Sequence, residues 1–387
     1  MRAGAPGPLL LGYLLGITLV ITLAPFRFAG PPAVHLSWLL HPGDMIANVL
    51  LFLPLGFLFR ASAASERGRR PLTALALGLV ASAAIEAVQL YLPGRFPSLV
   101  DVATNALGAW AGARLHARVQ ARLDGELVRG LALELPLVNL VYLLVPLLWL
   151  DGMAAGRDAG RLALAPLLGL AGGVVIAAIW RHHPGGLAGL TPAGVAALAG
   201  VWYTVGAFPG LAGRPALLLA GAVAIALLVR LEAGRPLPAT PERRFEQPTL
   251  RRVWPLLGGY LALSALWPVP WTAAAWRGGW GLVDLGDTPG LVPMLRALEY
   301  LAAFTLLGYS IAEARGRRRE PPGRLALWVA SLCLAAAAVL EGLRGFHPAH
   351  GASALALLLA GAAGLYGGLI YRRQLAVVRA LVATRGA

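Results

Sequence analysis

Apolar runs close to the ~20 residues a helix needs to cross a bilayer alternate along this chain with clusters of Arg, Pro and Gly. Twelve such runs can be read: 8–25, 43–60, 71–91, 98–116, 131–150, 161–180, 190–208, 214–231, 252–268, 291–312, 324–343 and 351–371. They predict an all-α, polytopic membrane protein of about 12 transmembrane helices. The seventh and eighth runs are the most interrupted by Gly and Pro. The first follows a short basic start, Arg2. Its Thr22-Leu23-Ala24 stretch is a poor cleavage site and Pro25 comes next, so it reads as an uncleaved first span.

Composition narrows the class. Of 387 residues, 58% are hydrophobic and 13% charged, where soluble chains carry about a quarter charged residues. A soluble enzyme, a disordered tail and a nucleic-acid binder are therefore excluded, and membrane lipids are the expected surroundings. The 33 basic residues, all Arg, outnumber 18 acidic ones, giving a net charge of +15. Their positions explain the excess. With a cytoplasmic N-terminus, only Arg27, Arg95, Arg157, Arg161, Arg214, Arg277, Arg296 and Arg344 fall outside, and the remaining arginines fall on the cytoplasmic side. This asymmetry predicts that both termini are inside, in a bacterial plasma membrane. A count of ten spans preserves the same alternation.

Cys333 is the single cysteine, so no disulfide or Cys-based zinc site can form. It sits in an apolar run and reads as a small core residue. No HExxH, GxGxxG, Walker loop or GxSxG elbow occurs, and no cofactor or metal is expected. His347 and His350 read as loop residues, and the Trp residues, mostly near span ends, as interfacial anchors.

Charged groups inside a bilayer are costly and call for a reason. They cluster in spans two to four. Asp44 and Asn48 are four apart on one helix face, as are Asp101 and Asn105. Ser82, Glu86 and Gln89 follow an i, i+4, i+7 pattern in span three, and Arg95 lies in the next loop. The alternation of spans puts all seven candidates (Asp44, Asn48, Glu86, Gln89, Arg95, Asp101, Asn105) at one membrane level, the external face. Asp44 and Asp101 have a purely structural reading as helix-start residues. Glu86 and Gln89 have one as glue between helices.

Three strings carry a family resemblance. They are Asp44-Met-Ile-Ala-Asn48-Val-Leu-Leu-Phe52-Leu-Pro54-Leu-Gly56, then Ile85-Glu86-Ala-Val-Gln89 with Leu92-Pro93-Gly94-Arg95, then Asp101-Val-Ala-Thr104-Asn105-Ala-Leu-Gly108. In this order and spacing they resemble the VanZ-like family over about residues 20–117. The family is named for a protein linked to teicoplanin resistance, and its members are small multi-span membrane proteins. The resemblance implies a domain more firmly than a reaction.

The chain also resembles itself. A shift of 255 aligns Glu86 with Glu341, Pro93 with Pro348, Ser98 with Ser353 and Gly112 with Gly367. A shift of 252 aligns Phe52 with Phe304 and Gly56 with Gly308. Spans nine to twelve thus read as a second, degenerate VanZ-like unit in the same orientation. Asp44 and Asn48 become Arg296 and Tyr300. Gln89 and Arg95 become Arg344 and His350. Asp101 and Asn105 become Ala356 and Ala360. The expected organisation is a VanZ-like four-helix unit (1–120), a middle four-helix block (121–231), a cytoplasmic linker (232–251) and the second unit (252–387).

Three readings of the candidate site follow. One is an external site that binds or processes a cell-envelope substrate, a lipid-linked intermediate or a glycopeptide. There Glu86 and Asp101 are the acid/base candidates. Asp44, Asn48, Gln89, Arg95 and Asn105 bind substrate, with Arg95 on a phosphate or carboxylate. The second is a non-enzymatic scaffold or transporter-like module, in keeping with parallel repeats. A minor third, a hard cation, uses the oxygen ligands Asp44, Asn48, Glu86, Gln89 and Asp101.

Overall fold

The computed structural model describes residues 7–24, 26–30, 41–63, 70–93, 95–122, 135–155, 159–182, 190–211, 213–235, 246–269, 272–281, 290–316 and 321–383. Gly94, Arg157, His183, residues 236–245 of the expected linker and much of two basic loops (64–69 and 317–320) lie outside the described residues. Twelve α-helices are present among the described residues, one for each predicted run. They fall into two compact units, Met1–Glu126 and Leu127–Ala387.

The first unit holds α1 (Gly7–Leu23), α2 (Pro42–Ser62), α3 (Pro71–Gln89) and α4 (Leu99–Arg122). Proline opens both α2 and α3, where its missing N–H leaves no helical bond unmade. α2 packs most extensively on α4, with α3 against the same helix. Glycine makes that approach possible. A Cβ on Gly56 would stand 1.9 Å from the Ala109 carbonyl oxygen, and one on Gly112 1.9 Å from that of Leu53. Small residues at such crossings bring membrane helices into backbone contact.

The second unit comprises α5 (Leu135–Ala155), a single 3₁₀ turn (Ala159–Ala163), α6 (Ala165–His182), α7 (Pro192–Leu211), α8 (Pro215–Ala233), α9 (Glu246–Ala265), α10 (Leu291–Gly316), α11 (Pro322–Gly345) and α12 (Ala354–Ala383). α5 forms its core. Leu143, Leu144, Leu147 and Leu148 are buried against neighbours that include α6, α7 and α10. α10 pairs with α12 as α2 does with α4. A Cβ on Gly367 would stand 1.9 Å from the Thr305 carbonyl oxygen, and one on Gly308 2.1 Å from that of Gly364. Cys333 is fully buried, as its apolar setting predicts.

One element departs from an all-helical expectation. Gly278–Gly279 (β1) and Ala352–Ser353 (β2) pair as a minimal parallel ladder. The Arg277 guanidinium fastens this segment to the turn after α11, donating to the carbonyls of His347 (3.3 Å), Pro348 (2.6 Å) and His350 (3.1 Å).

Among the described residues, eight helices are long and apolar enough to cross a membrane: α2, α3, α5, α6, α8, α10, α11 and α12. α8, in the eighth and Gly-interrupted run, is the most apolar of them. α1 and the Pro192–Phe208 stretch of α7 are apolar but shorter. Large apolar side chains stand exposed along α3 (Leu72, Leu79, Val80), α8 (Leu219, Leu227, Leu231) and α11 (Leu327, Val339, Leu343). Faces of this kind are matched by lipid rather than water. The chain is a multi-pass membrane protein in contact with membrane lipids.

Candidate functional site

In the first unit the polar residues gather at one end of the bundle, where α2 and α4 begin and α3 finishes. Glu86, in the last turn of α3, is buried. Its Oε2 accepts the Ser98 backbone N–H at 2.8 Å, immediately ahead of α4. A helix start has four N–H groups without intrahelical partners, and an acidic oxygen there is favoured by the helix dipole. Glu86 therefore secures the neighbouring helix across the α3–α4 turn. Its Oε1 accepts no hydrogen bond among the described residues. The Ser98 hydroxyl in turn accepts the Asp101 N–H at 3.3 Å, the serine half of a capping box.

The sequence-predicted residues divide into two groups. Asp101, half-buried, is flanked by Ser98 and Asn48 and lies within electrostatic reach of Asp44 and Glu86. Arg95 is exposed and close enough to act on the Glu86 carboxylate, without an ion pair among the described residues. Asp44 and Asn48 thus lie within reach of Asp101, and Asp101 and Arg95 within reach of Glu86. Gln89 and Asn105 face other partners. Gln89 donates to the Thr22 carbonyl of α1 at 2.9 Å. Asn105 donates to the Ser82 hydroxyl of α3 at 2.8 Å. Both are buried ties between helices. Among the described residues no group of three or more His, Cys, Asp or Glu side chains could hold a metal ion.

At one end of the second unit a Glu–Ser bond of the same kind stands among other side chains. Glu341 is buried, and its Oε2 accepts the Ser353 N–H at 2.7 Å. The Ser353 hydroxyl accepts the Ala356 N–H at 3.0 Å. Here the second carboxylate oxygen is taken as well, by Arg344 Nη1 at 2.9 Å. His347 and His350, expected as loop residues, fasten the turn. Their Nε2 atoms donate to the carbonyls of Pro268 (2.7 Å) and Trp267 (2.8 Å).

Sequence reasoning missed a buried charge network in the second unit. Arg161, which the alternation of loops puts outside among solvated arginines, is fully buried. Its Nη2 reaches both oxygens of Glu299, at 2.7 and 2.6 Å, and lies 3.9 Å from Asp151 Oδ1. The Tyr260 hydroxyl donates to Glu299 Oε1 at 2.6 Å. Glu299 was visible as an acid inside an apolar run. Asp151 fell one residue past the predicted end of its span, and Arg161 at the first residue of the next. A charge at a run boundary looks like loop. Its partner, 138 residues away, has no local signature.

Residues 11–120 match the family model described as VanZ/LLP1. No curated protein and no solved structure matches the chain. The matched segment contains the α2–α4 polar end, including Asp44, Glu86 and Asp101. The chain is accordingly a multi-pass α-helical membrane protein whose N-terminal segment, residues 11–120, is VanZ-like.

Proposed function

We propose that the first unit binds and processes an envelope substrate at the external face of a bacterial plasma membrane: a lipid-linked intermediate or a glycopeptide. The observation that carries this reading is the state of Glu86. One oxygen is fixed by the Ser98 N–H while the other is unoccupied among the described residues, beside Asp101, Asp44 and the exposed Arg95. A carboxylate held in place yet open on one side is suited to general acid–base work. Asp101 is its partner in proton transfer. Arg95 receives a phosphate or carboxylate of the substrate in bidentate fashion, and Asp44 and Asn48 position the remainder. Gln89 and Asn105 support the site by holding α1 and α3 in place.

The test compares Glu86→Gln and Asp101→Asn with the wild type in cells, following glycopeptide susceptibility and envelope precursors. Glutamine still offers an oxygen to the Ser98 N–H, so protein level is expected to hold while the phenotype is lost. Retention of the full phenotype by both variants sinks this reading.

A second reading, a non-enzymatic transporter-like module, draws support from the recurrence of the Glu–Ser bond and the glycine crossings 252–255 residues later. We read these as two VanZ-like units in parallel orientation, the second altered, flanking a middle block, with both termini cytoplasmic. Parallel repeats are common among transporters. Substrate flux in liposomes carrying the purified chain, preserved in Glu86→Gln, would favour this reading over the first.

A further inference from the structure

A cavity of about 300 Å³ opens at one end of the second unit, between the C-terminal ends of α9 and α11 and the first turns of α10 and α12. Arg296, Tyr300, Arg344, His350, Ser353 and Ala356 line it. At shifts of 252 (α10) and 255 (α11–α12) these are the counterparts of Asp44, Asn48, Gln89, Arg95, Ser98 and Asp101. The positions that gather at the polar end of the first unit therefore enclose a cavity in the second, with the charge reversed. Two acids have given way to Arg296 and Ala356, and an amide to Arg344.

We propose that this cavity binds the anionic head of an amphiphile, a phosphate monoester or carboxylate, through Arg296 and Arg344. Three observations support the assignment. First, two guanidinium groups stand in a wall where Ala, Pro and Leu are mixed with Ser, Tyr300, His350 and Glu299. Guanidinium is the side chain best matched to phosphate and carboxylate oxygens, and the apolar part of the wall strengthens that attraction. Second, Arg296 shares the acid on the cavity floor with two other partners, so that acid offsets its charge only in part. Both oxygens of Glu299 are engaged from behind by Arg161, and one also by Tyr260. Third, Arg344 is held in place. Its Nη1 is bonded to Glu341 and its guanidinium lies 5.8 Å from the centre of the Tyr300 ring, so little side-chain freedom remains to be lost on binding. The volume, at the lower end of the usual range for ligand pockets, suits a head group and the first carbons of a chain. The charge-reversal comparison rests on the two-unit reading; the arginines and the cavity stand without it.

The experiment uses the full chain in a neutral maltoside detergent. Bound molecules are counted by native mass spectrometry, and thermal unfolding is followed in parallel. The probes are phosphatidic acid, phosphatidylcholine and inorganic phosphate. Phosphatidic acid is expected to bind saturably and raise the unfolding midpoint, with phosphatidylcholine far weaker. Arg296→Gln is expected to weaken phosphatidic acid roughly tenfold, the loss of one charged hydrogen bond. Ala297→Trp, which fills the cavity without touching a charge, is expected to abolish binding. Inorganic phosphate binding as tightly as the lipid supports the arginine site and identifies a free anion as its occupant. The proposal is overturned if neither phosphate probe binds the folded wild type, if phosphatidylcholine binds equally well, or if both folded variants bind like the wild type. Glu86→Gln leaves this binding unchanged, so failure here is separable from failure of the first-unit reading.

Discussion

Glu86 and Glu341, counterparts in the two-unit reading proposed above, begin the same way, each accepting a serine N–H at the start of the next helix. They differ in the second oxygen. Glu341 gives it to Arg344, whereas Glu86 leaves it open among the described residues. The difference separates scaffold from chemistry. A carboxylate bonded to the backbone amide is part of the frame in both units. The residue three positions on, Gln89 in one and Arg344 in the other, decides whether the second carboxylate oxygen is left open. Around them the ties change too. Asn105 bonds to Ser82 in the first unit, and the equivalent positions in the second are Ala360 and Ala337.

The largest effect is expected where the units differ most. Glu299 has Ala47 as its counterpart in the two-unit reading, and its removal leaves the fully buried Arg161 with Asp151 3.9 Å away in place of two short bonds. Glu299→Ala should cost about 3–5 kcal/mol, read as a fall in the SDS concentration that unfolds the protein in mixed micelles. Ala47→Leu in the first unit should leave the same measurement nearly unchanged.

The glutamates themselves give the next contrast. Glu341→Ala removes the acceptor of one buried N–H and the partner of Arg344, a loss of roughly 3 kcal/mol. Glu86→Ala removes only the N–H acceptor and should cost about half as much. Equal losses in the same unfolding assay would mean that the open oxygen of Glu86 is an illusion and that the two ends are energetically alike.

The smallest difference is expected at the glycine crossings, where the two units are built alike. Gly112→Ala and Gly367→Ala each place a methyl 1.9 Å from a backbone carbonyl oxygen. Both should destabilise by about 1–3 kcal/mol and by similar amounts. A difference larger than either loss would break the structural parallel between α2–α4 and α10–α12.

Much of this architecture was legible in the sequence because a bilayer simplifies the code. Most of the helices are apolar runs, so the twelve runs match twelve helices among the described residues, eight of them long and apolar enough to cross a membrane, and acids within them stand out. Asp44, Glu86 and Asp101 were visible for that reason, and the alternation of spans led to the expectation that they share one level. What the pattern could not carry was pairing across long separations. The role of Glu86 as a cap lies in the helix it does not belong to, so its own run shows an acid without a visible purpose. Arg161 looked like one more topological arginine because its acid partners come from α5 and α10. The cavity beside Arg296 and Arg344 was hidden by the same logic. Read as a list, those residues are losses from a motif; placed in space, they face one another.

The clasp between Glu86 and Ser98 has a consequence for how such a protein changes over time. It brackets eleven residues, the end of one helix and the turn after it, and the clasp between Glu341 and Ser353 brackets the same number. Because the two helices are bolted together at the ends of that interval, the residues between the bolts can tie the turn in different ways: His347 and His350 fasten it in the second unit, while Arg95 stays exposed in the first. Position 95 can be arginine and its counterpart histidine while the helices on either side keep their register. Selection can therefore rewrite what the turn presents to its surroundings without renegotiating the fold beneath it.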